Sequence, residues 1–224
     1  MVRFFLFLSL AVVLMPDAAS AAAKQSVTLD VFLGKHSHIG EHHYDIEPLA
    51  KNGYKVRSRC RFDVNILFFS AYSYNHHTEE VWQDGCLKKV ESKTTENGET
   101  THVKGQLEDG VFQWQINGGP VQTTQKCVRT FAYWHPTYLM DTPELMNPQT
   151  GKIQEVTVRA EDVSGQATSL TDPGKKIHLA GDELDIKVWY TEAMKWLGLT
   201  SEVDGNQLRY KRTDNRDASY EDLF

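Results

Sequence analysis

Hydrophobic and polar residues alternate with a period of two through most of the chain, and short turn dipeptides interrupt the alternation. In the first such segment Val27, Leu29, Val31 and Leu33 share one face, with polar residues between most of them. Alternation of this kind is typical of antiparallel strands that pack one face into a core and leave the other in water. We therefore predict an all-β protein.

The clearest hairpins lie in the middle of the chain. Segments 86–95, 100–107 and 111–117 are separated by the dipeptides Asn97-Gly98 and Asp109-Gly110. Asn-Gly and Asp-Gly favour two-residue hairpin turns because both central residues of such a turn need a positive φ. The sequence thus predicts a three-stranded meander here.

Further strands are expected on both sides of this meander. They are residues 27–33, 38–47, 54–62, 66–74, 153–160, 175–180, 184–190, 196–203 and 207–212. Helical signal is scarce, and we expect only short helical turns near residues 129–134, 142–146 and 191–197. The predicted fold class is all-β: a single curved antiparallel sheet forming an open or nearly closed barrel, with a few short helical turns.

The regular pattern fails between residues 118 and 151. Pro136, Pro143 and Pro148 interrupt this segment, which is also rich in aromatic residues. A long irregular segment within a compact domain is often functional. Alternatively, the segment plugs one end of the sheet with its own aromatic side chains. The sequence leaves both interpretations open.

The N-terminus has the order of a secretory signal peptide. Arg3 provides a positive start, an apolar run follows over residues 4–15, and Ala19 and Ala21 offer the small residues that precede a cleavage site. The run is shorter than the roughly 20 residues that a membrane-spanning helix needs. We predict a cleaved signal peptide over 1–21, one antiparallel β domain over 22–212, and a flexible acidic tail over 213–224 in an exported, periplasmic protein.

Composition and motifs argue against several function classes. The formal net charge of −6 disfavours nucleic acid as a partner, and no later stretch is long enough to span a membrane. The sequence contains neither a Gly-rich phosphate loop nor a G-x-S-x-G elbow. Glu79 and Glu80 lie on opposite faces of a strand and cannot act as an acid/base pair. We therefore predict no cofactor and no catalytic residue.

Three cysteines permit three disulfide pairings in an oxidising compartment. Cys60 alternates with Val56 and Phe62 on one strand face and is interpreted as a small core residue. This favours pairing of Cys86 with Cys127, which lie after a turn and in a connecting segment. Three free thiols are the alternative.

Histidines are frequent, nine in all, and raise the question of a metal site. His36, His38 and Glu41 lie in or near one hairpin, but zinc sites need three or four converging ligands. Solvated turn histidines are the commoner interpretation, so no metal is predicted.

Several stretches of the chain resemble a known bacterial family, domain of unknown function family 6134. They are residues 31–40 (VFLGKHSHIG), 72–87 (YSYNHHTEEVWQDGCL), 127–136 (CVRTFAYWHP), 145–151 (LMNPQTG) and 186–212. The resemblance implies an exported, incompletely closed antiparallel barrel, like periplasmic carriers of apolar ligands, and places cysteines at Cys86 and Cys127. It implies no chemistry, because the family's function is not established. The chain departs from the pattern at His36, His38, His42, His43 and His135, so a role shared by the family should not depend on them.

The leading functional hypothesis is the binding or carriage of an apolar, lipid-like ligand. Aromatic side chains are the expected lining of such a pocket. The predicted ligand-binding residues are Tyr72, Tyr74, Trp114, Trp134, His135 and Tyr138. A structural or adaptor protein of the cell envelope, using a sheet edge or residues 118–151, is the alternative, and a hydrolase is a third.

Overall fold

The fold was analysed in a computed structural model that describes residues 23–66, 69–140, 142–163, 173–182, 184–203 and 205–214. Its elements are β1 Gln25–Leu33, β2 Ser37–Leu49, β3 Gly53–Ile66, β4 Phe69–Gln83, β5 Cys86–Glu96, β6 Glu99–Glu108, β7 Val111–Ile116, β8 Gln122–Thr124, α1 Pro136–Leu139, β9 Glu144–Met146, β10 Ile153–Glu155, β11 Thr157–Asp162, β12 Pro173–Gly181, β13 Leu184–Thr191, β14 Trp196–Val203 and β15 Asn206–Arg212. Residues 1–21, predicted as a signal peptide, and most of the predicted acidic tail lie outside the described residues.

Thirteen strands form one antiparallel sheet in the order β11-β12-β13-β14-β15-β1-β2-β3-β4-β5-β6-β7-β8, while β9 and β10 pair separately. Almost every neighbour in the sheet is also a neighbour in sequence, as hairpins require. The exception is β15, which pairs with β1 and joins the two ends of the described chain, with Tyr210 opposite Val31. Among the described strands β8 and β11 remain the unpaired edges, so the sheet is curved but not closed. The predicted fold class is confirmed.

The predicted hairpin turns are confirmed by their backbone angles. Asn97 and Gly98 have φ 48° and 89°, and Asp109 and Gly110 have φ 47° and 80°. Both pairs adopt the left-handed conformation that Asn, Asp and Gly tolerate best. Local chemistry therefore sets these turns.

The core lies inside the curve of the sheet and is completed by the irregular segment. Leu29, Trp82 and Tyr190 of the sheet are fully buried, and so are Leu139 and Leu145 of the segment. We call residues 128–146 the plug. Its backbone is bonded to the sheet, because the Leu87 amide donates to the Val128 carbonyl at 2.8 Å.

Two of the predicted helical turns are wrong. Residues 129–134 contain no helix; instead Thr130 forms a parallel bridge with Met146. Residues 144–146 are strand β9, paired with β10, because the buried Leu145 and Met146 are held in a two-stranded sheet against the core. The only described helix is α1, which has Pro136 in its first turn, where the fixed φ of proline suits a helix start.

Two further predictions need correction. Residues 191–197 form a hydrogen-bonded turn with Met194 at φ 60°, not a helical turn. Residues 153–160, predicted as one strand, are divided between β10 and β11, which belong to different sheets. The division falls at Val156, whose amide donates to the Pro143 carbonyl in the plug at 2.9 Å.

The predicted disulfide is confirmed. Cys86 and Cys127 are bonded, and they tie the start of β5 to the chain just before the plug. Cys60 is a buried free thiol, as its strand face predicted. No helix in the described part of the chain is long and apolar enough to cross a membrane.

Candidate functional site

The longest strands, β2, β3 and β4, have 13, 14 and 15 residues. They carry two lateral rows of histidine, cysteine and arginine side chains. Each row takes one residue from each strand, directly opposite in the register. The row facing the interior is His42, Cys60 and His76, and the row facing outward is His43, Arg59 and His77. Because neighbouring residues of a strand point to opposite faces, two adjacent histidines supply both rows.

The histidines of the interior row are buried and hydrogen-bonded to hydroxyl groups. His42 Nε2 lies 2.6 Å from Ser58 Oγ. His76 contacts Thr94 Oγ1 through Nδ1 and Thr78 Oγ1 through Nε2, both at 2.9 Å. Burial lowers the pKa of His42 well below its usual value and that of His76 to about 4. Both rings are therefore neutral at neutral pH.

Cys60, between these two histidines, is not an activated nucleophile. Burial raises the pKa of its thiol, and a hydrogen bond from the Tyr210 side chain only partly opposes that rise. Arg59 and Arg61 point outward, as the alternation predicted, so neither stabilises the thiolate. The thiol stays protonated and serves the packing of the interior.

Glu80 is a buried carboxylate that joins β4 to the plug. Trp82 Nε1 donates to its Oε2 and Thr130 Oγ1 donates to its Oε1, both at 2.9 Å. Burial raises the pKa of Glu80, and these two hydrogen bonds partly offset the effect. Glu79, on the outer face, is bound by Lys55 and Arg57. The two carboxylates therefore lie on opposite faces, as predicted.

A second apolar cluster lies at the opposite end of β3 and β4 from the plug, separate from the main core. Its buried members are Val31, Cys60, Phe62 and Tyr74, with Ile39, Tyr72, Leu208 and Tyr210 packed against them. The ring of Phe62 stacks on Tyr74 at 4.7 Å and on Tyr72 at 5.9 Å between centroids. These three aromatic rings make one stacked wall.

A cavity with a volume of ≈ 540 Å³ opens to solvent beside this cluster. It is lined by His38, Ile39, Gly40, Glu41, His43, Arg59, Cys60, Arg61, Phe62, Asp63, Asn75 and His77. Its size falls in the range of about 300–1,000 Å³ that small-molecule sites occupy. The lining combines the side chain of Ile39 with two guanidinium groups and three imidazoles, and Phe62 adds little surface because it is only 5% exposed.

A β-bulge shapes this cavity. Phe32 pairs with His38 and Val31 pairs with Gly40, so Ile39 is an extra residue in β2. A Cβ atom on Gly40 would lie 2.1 Å from the Arg61 carbonyl oxygen, so only glycine lets β2 approach β3 this closely. Bulges bend a strand and redirect its side chains, which places Ile39 against the second apolar cluster.

Charged groups at the cavity are loosely paired. Arg59 contacts Asp45 and Arg61 contacts Asp63, each at 3.5 Å, and the two arginines are 63% and 77% exposed. His43 Nε2 lies 2.9 Å from Glu41 Oε2. Exposed pairs at these distances contribute little to stability, so both guanidinium groups are available to an anionic ligand.

The structure divides the six predicted ligand-binding residues among three places. Tyr72 and Tyr74 lie in the second apolar cluster. Trp134, His135 and Tyr138 pack on Tyr54 and Trp82 at the plug end, with His135 and Tyr138 stacked at 3.8 Å. Trp114 is buried in the main core and donates to the Gly151 carbonyl at 3.0 Å. The aromatic residues of the plug fill the end of the barrel with their own rings.

Sequence reasoning did not select the cationic residues of the cavity. Arg57, Arg59 and Arg61 share the outer face of the predicted strand 54–62, which was a usable signal. Their alignment with histidines of β2 and β4 depends on strand register, which the pattern of one strand does not contain. His38, proposed as a metal candidate, contacts Asp30 at 3.3 Å. Within the described residues no three His, Cys, Asp or Glu side chains converge as metal ligands.

Comparisons with known proteins agree with this architecture. The crystal structure of a beta-barrel-like protein of domain of unknown function DUF1849 from Brucella abortus is similar, with a TM-score of 0.61. It shares 15% sequence identity, and the match covers 85% of this chain and 95% of that chain, so the likeness concerns the fold alone. No curated protein matches the sequence. The family described as Domain of unknown function (DUF6134) matches residues 30–213, and the chain belongs to that family.

Proposed function

We propose that the protein binds an amphipathic, lipid-like ligand with an anionic head in the cavity between β2, β3 and β4. The observation that carries the proposal is the composition of that cavity. Ile39 and the hydrocarbon stems of Arg59 and Arg61 offer apolar surface, and the two guanidinium groups place cations at the same opening. A pocket with a mostly apolar wall and a few polar groups is the usual construction of a small-molecule site.

The apolar part of the ligand would be bound against Ile39 and the hydrocarbon stems of Arg59 and Arg61. Ile39 packs on the cluster of Phe62, Tyr72 and Tyr74, which holds it in place, so little side-chain entropy is lost on binding. Burial contributes about 25 cal/mol for each Å² of apolar surface removed from water. An acyl chain of modest length therefore suffices for measurable affinity.

The head group would be bound by Arg61 with help from Arg59. A guanidinium group presents two parallel N–H donors that match a carboxylate or a phosphate. Arg61 is 77% exposed, and its contact with an Asp63 oxygen is long, at 3.5 Å. Its guanidinium group can therefore turn to an incoming anion without leaving a buried charge unpaired. This selects anionic amphiphiles over neutral ones.

The proposal includes the cellular setting that the N-terminal pattern supports. The chain is exported, loses residues 1–21, and carries its ligand in the periplasm. An envelope compartment supplies anionic amphiphiles and an oxidising environment, in which a disulfide such as Cys86–Cys127 persists. Fractionation of the producing cells, with mass analysis of the mature N-terminus, tests this part.

The binding test uses short-chain lipids that stay monomeric. We expect dihexanoyl phosphatidylglycerol to bind in calorimetric titrations and dihexanoyl phosphatidylcholine, which is zwitterionic, to bind at least tenfold more weakly. Arg61→Ala should weaken phosphatidylglycerol binding about tenfold, the loss of about 1.4 kcal/mol that a charge-assisted contact contributes. Lys104→Ala, an equally exposed cation outside the cavity, should leave it unchanged.

Two outcomes would overturn the proposal. One is the absence of binding at lipid concentrations up to about 1 mM, the weakest affinity of functional interest. The other is equal loss of affinity in Arg61→Ala and Lys104→Ala. It would mean that the lipid is attracted by the overall charge of the protein and not by contact with Arg61. Native mass spectrometry of protein isolated from its producing cells would identify the bound lipid.

A further inference from the structure

A row of five basic residues crosses the outer face of the sheet, one on each strand from β2 to β6. His43 lies opposite Arg59, Arg59 opposite His77, His77 opposite Lys93, and Lys93 opposite His102. We call these five residues the basic row. Three of them line the cavity, while Lys93 and His102 lie beyond it.

Folding does not account for the basic row. No acid stands in the row to pair with Arg59 or Lys93. Among the described residues no hydrogen-bond or ion-pair partner meets the side chains of His77, Lys93 or His102, all of which are exposed. His43 alone is well held, by Thr28 Oγ1 at 3.0 Å and Glu41 at 2.9 Å. Four neighbouring positions thus present basic side chains to solvent with weak or no pairing.

The outward residues on either side of the row have different charge patterns. Toward the second apolar cluster they are Glu41, Arg61, Asn75, Thr95 and Thr100. Toward the plug they are Asp45, Arg57, Glu79, Glu91 and Lys104. Two of these acids are bound by cations of their own row, since Arg57 contacts Glu79 and Lys104 contacts Glu91, each at 2.9 Å. The basic row therefore has no acid of its own, and the row toward the plug carries three acids against two cations.

We propose that the basic row binds a linear anionic polysaccharide that carries one carboxylate or sulfate per sugar. Neighbouring strands are about 4.8 Å apart, so five strands place the cations along a line of roughly 19 Å. An extended chain with an anion on each sugar can meet successive cations along this line. The chain as a whole has a formal net charge of −6, which disfavours the binding of polyanions elsewhere on its surface.

Other anionic partners fit the basic row less well. A flat anionic membrane would also cover the bordering row toward the plug, which offers it no net attraction because its three acids outnumber its two cations. Single-stranded nucleic acid needs aromatic side chains on which its bases stack. The outward positions of the basic row and both bordering rows contain no Phe, Tyr or Trp. A narrow polymer without bases is the partner that the charge pattern favours.

The test titrates the full chain with polygalacturonate, which carries one carboxylate per sugar. We expect Lys93→Glu to weaken binding at least tenfold. Lys89→Glu is the matched control, because it makes the same change in charge on the same strand but outside the row, opposite Val81. Equal weakening by both variants would show non-specific attraction and overturn the proposal, as would no binding at pH 5.5 in low salt.

Further arms separate the polymer classes and the role of the histidines. Neutral dextran should not bind. Stronger binding of a single-stranded oligonucleotide than of polygalacturonate would contradict the assignment, and so would phosphatidylglycerol vesicles that bind more strongly than polygalacturonate and lose that binding in Lys93→Glu, a residue outside the cavity. The double variant His77→Gln, His102→Gln should weaken polygalacturonate binding, and an unchanged affinity would exclude these rings. The inference does not depend on the cavity's ligand, because Lys93→Glu should leave dihexanoyl phosphatidylglycerol binding intact.

Discussion

Thr130 in the plug donates a 2.9 Å hydrogen bond through Oγ1 to Oε1 of Glu80 on β4, across 50 residues of sequence. Both residues are buried, with exposures of 2% and 5%. The bond therefore joins the irregular segment to the sheet in a place where water cannot replace it. A buried carboxylate with two neutral donors and no cation also makes the junction sensitive to pH.

Replacing Glu80 with glutamine should stabilise the protein at high pH. Burial raises the pKa of Glu80, so the folded state holds its proton where the unfolded chain has ionised. The stability that protonated Glu80 provides is complete below the unfolded pKa and is lost as the pH rises through the folded pKa. Glu80→Gln cannot ionise, and its advantage in urea unfolding should grow from pH 4 to pH 8, reaching on the order of 1 kcal/mol.

Glu79 provides the matched control for that experiment. Hydrogen bonds from Lys55 and Arg57 lower the pKa of Glu79, so its contribution is present at high pH and is lost as the pH falls through the folded pKa. Glu79→Gln should therefore show the opposite trend, with its deficit largest at pH 8. The same trend in both variants would contradict the assignment of Glu80.

His76 should make the protein unstable in acid. Burial lowers its pKa to about 4 from the 6.5 of an unperturbed histidine. The unfolded chain therefore binds a proton that the folded state does not, and stability is lost as the pH falls from 6.5 towards 4, by about 3 kcal/mol in total. His76→Gln should reduce the pH dependence of unfolding over this interval. The exposed His102→Gln should not, and equal slopes in both variants would contradict the prediction.

Removing the disulfide should cost most of the stability of the plug end. The bond between Cys86 and Cys127 closes a loop with a sequence separation of 41. On the chain-entropy account a loop of this length contributes about 4 kcal/mol. The double variant Cys86→Ser, Cys127→Ser should lower the denaturant midpoint accordingly. Reduction of the unaltered protein should reproduce the shift, whereas the double variant should not respond to reductant.

Gly40→Ala should disrupt the bulge that shapes the cavity. The added Cβ would meet the Arg61 carbonyl oxygen, which is backbone and cannot turn away. We expect a loss of about 2–4 kcal/mol and weaker binding of phosphatidylglycerol, because β2 must move away from β3. Ser37→Ala, at the exposed start of the same strand, should change stability by less than about 0.5 kcal/mol. Normal stability of Gly40→Ala would show that the bulge relaxes freely.

The fold was largely predictable, and the errors have a common cause. Strands and turns such as Asn97-Gly98 follow from local rules, and so did the placement of Cys60 in the core. Most of the failures lie between residues 129 and 160, where the chain packs inside the sheet, and one lies in the turn at 191–197. There Met146 pairs with Ile153 and bridges to Thr130, and these distant contacts override local propensity.

The candidate site was predicted less well than the fold. Aromatic enrichment led to Trp134 and Tyr138, which the structure packs on Trp82 at the plug end. The ≈ 540 Å³ cavity lies elsewhere, beside Gly40, the bulge residue Ile39 and the outward arginines Arg59 and Arg61. A bulge such as that at Ile39 has no distinct signal in the sequence, because it depends on the register in which the partner strand pairs.

The sequence by itself determined which residues point inward and which point outward, because side chains alternate along any strand whatever its neighbours are. That was enough to place Cys60 in the core, Arg59 and Arg61 on the opposite face of their strand, and Glu79 and Glu80 on different faces of theirs. Only the tertiary structure decided that Arg59 stands beside His43 and His77. Lateral neighbours depend on strand register, and register is set by pairing between distant segments and shifted by bulges, so it is a property of the whole sheet.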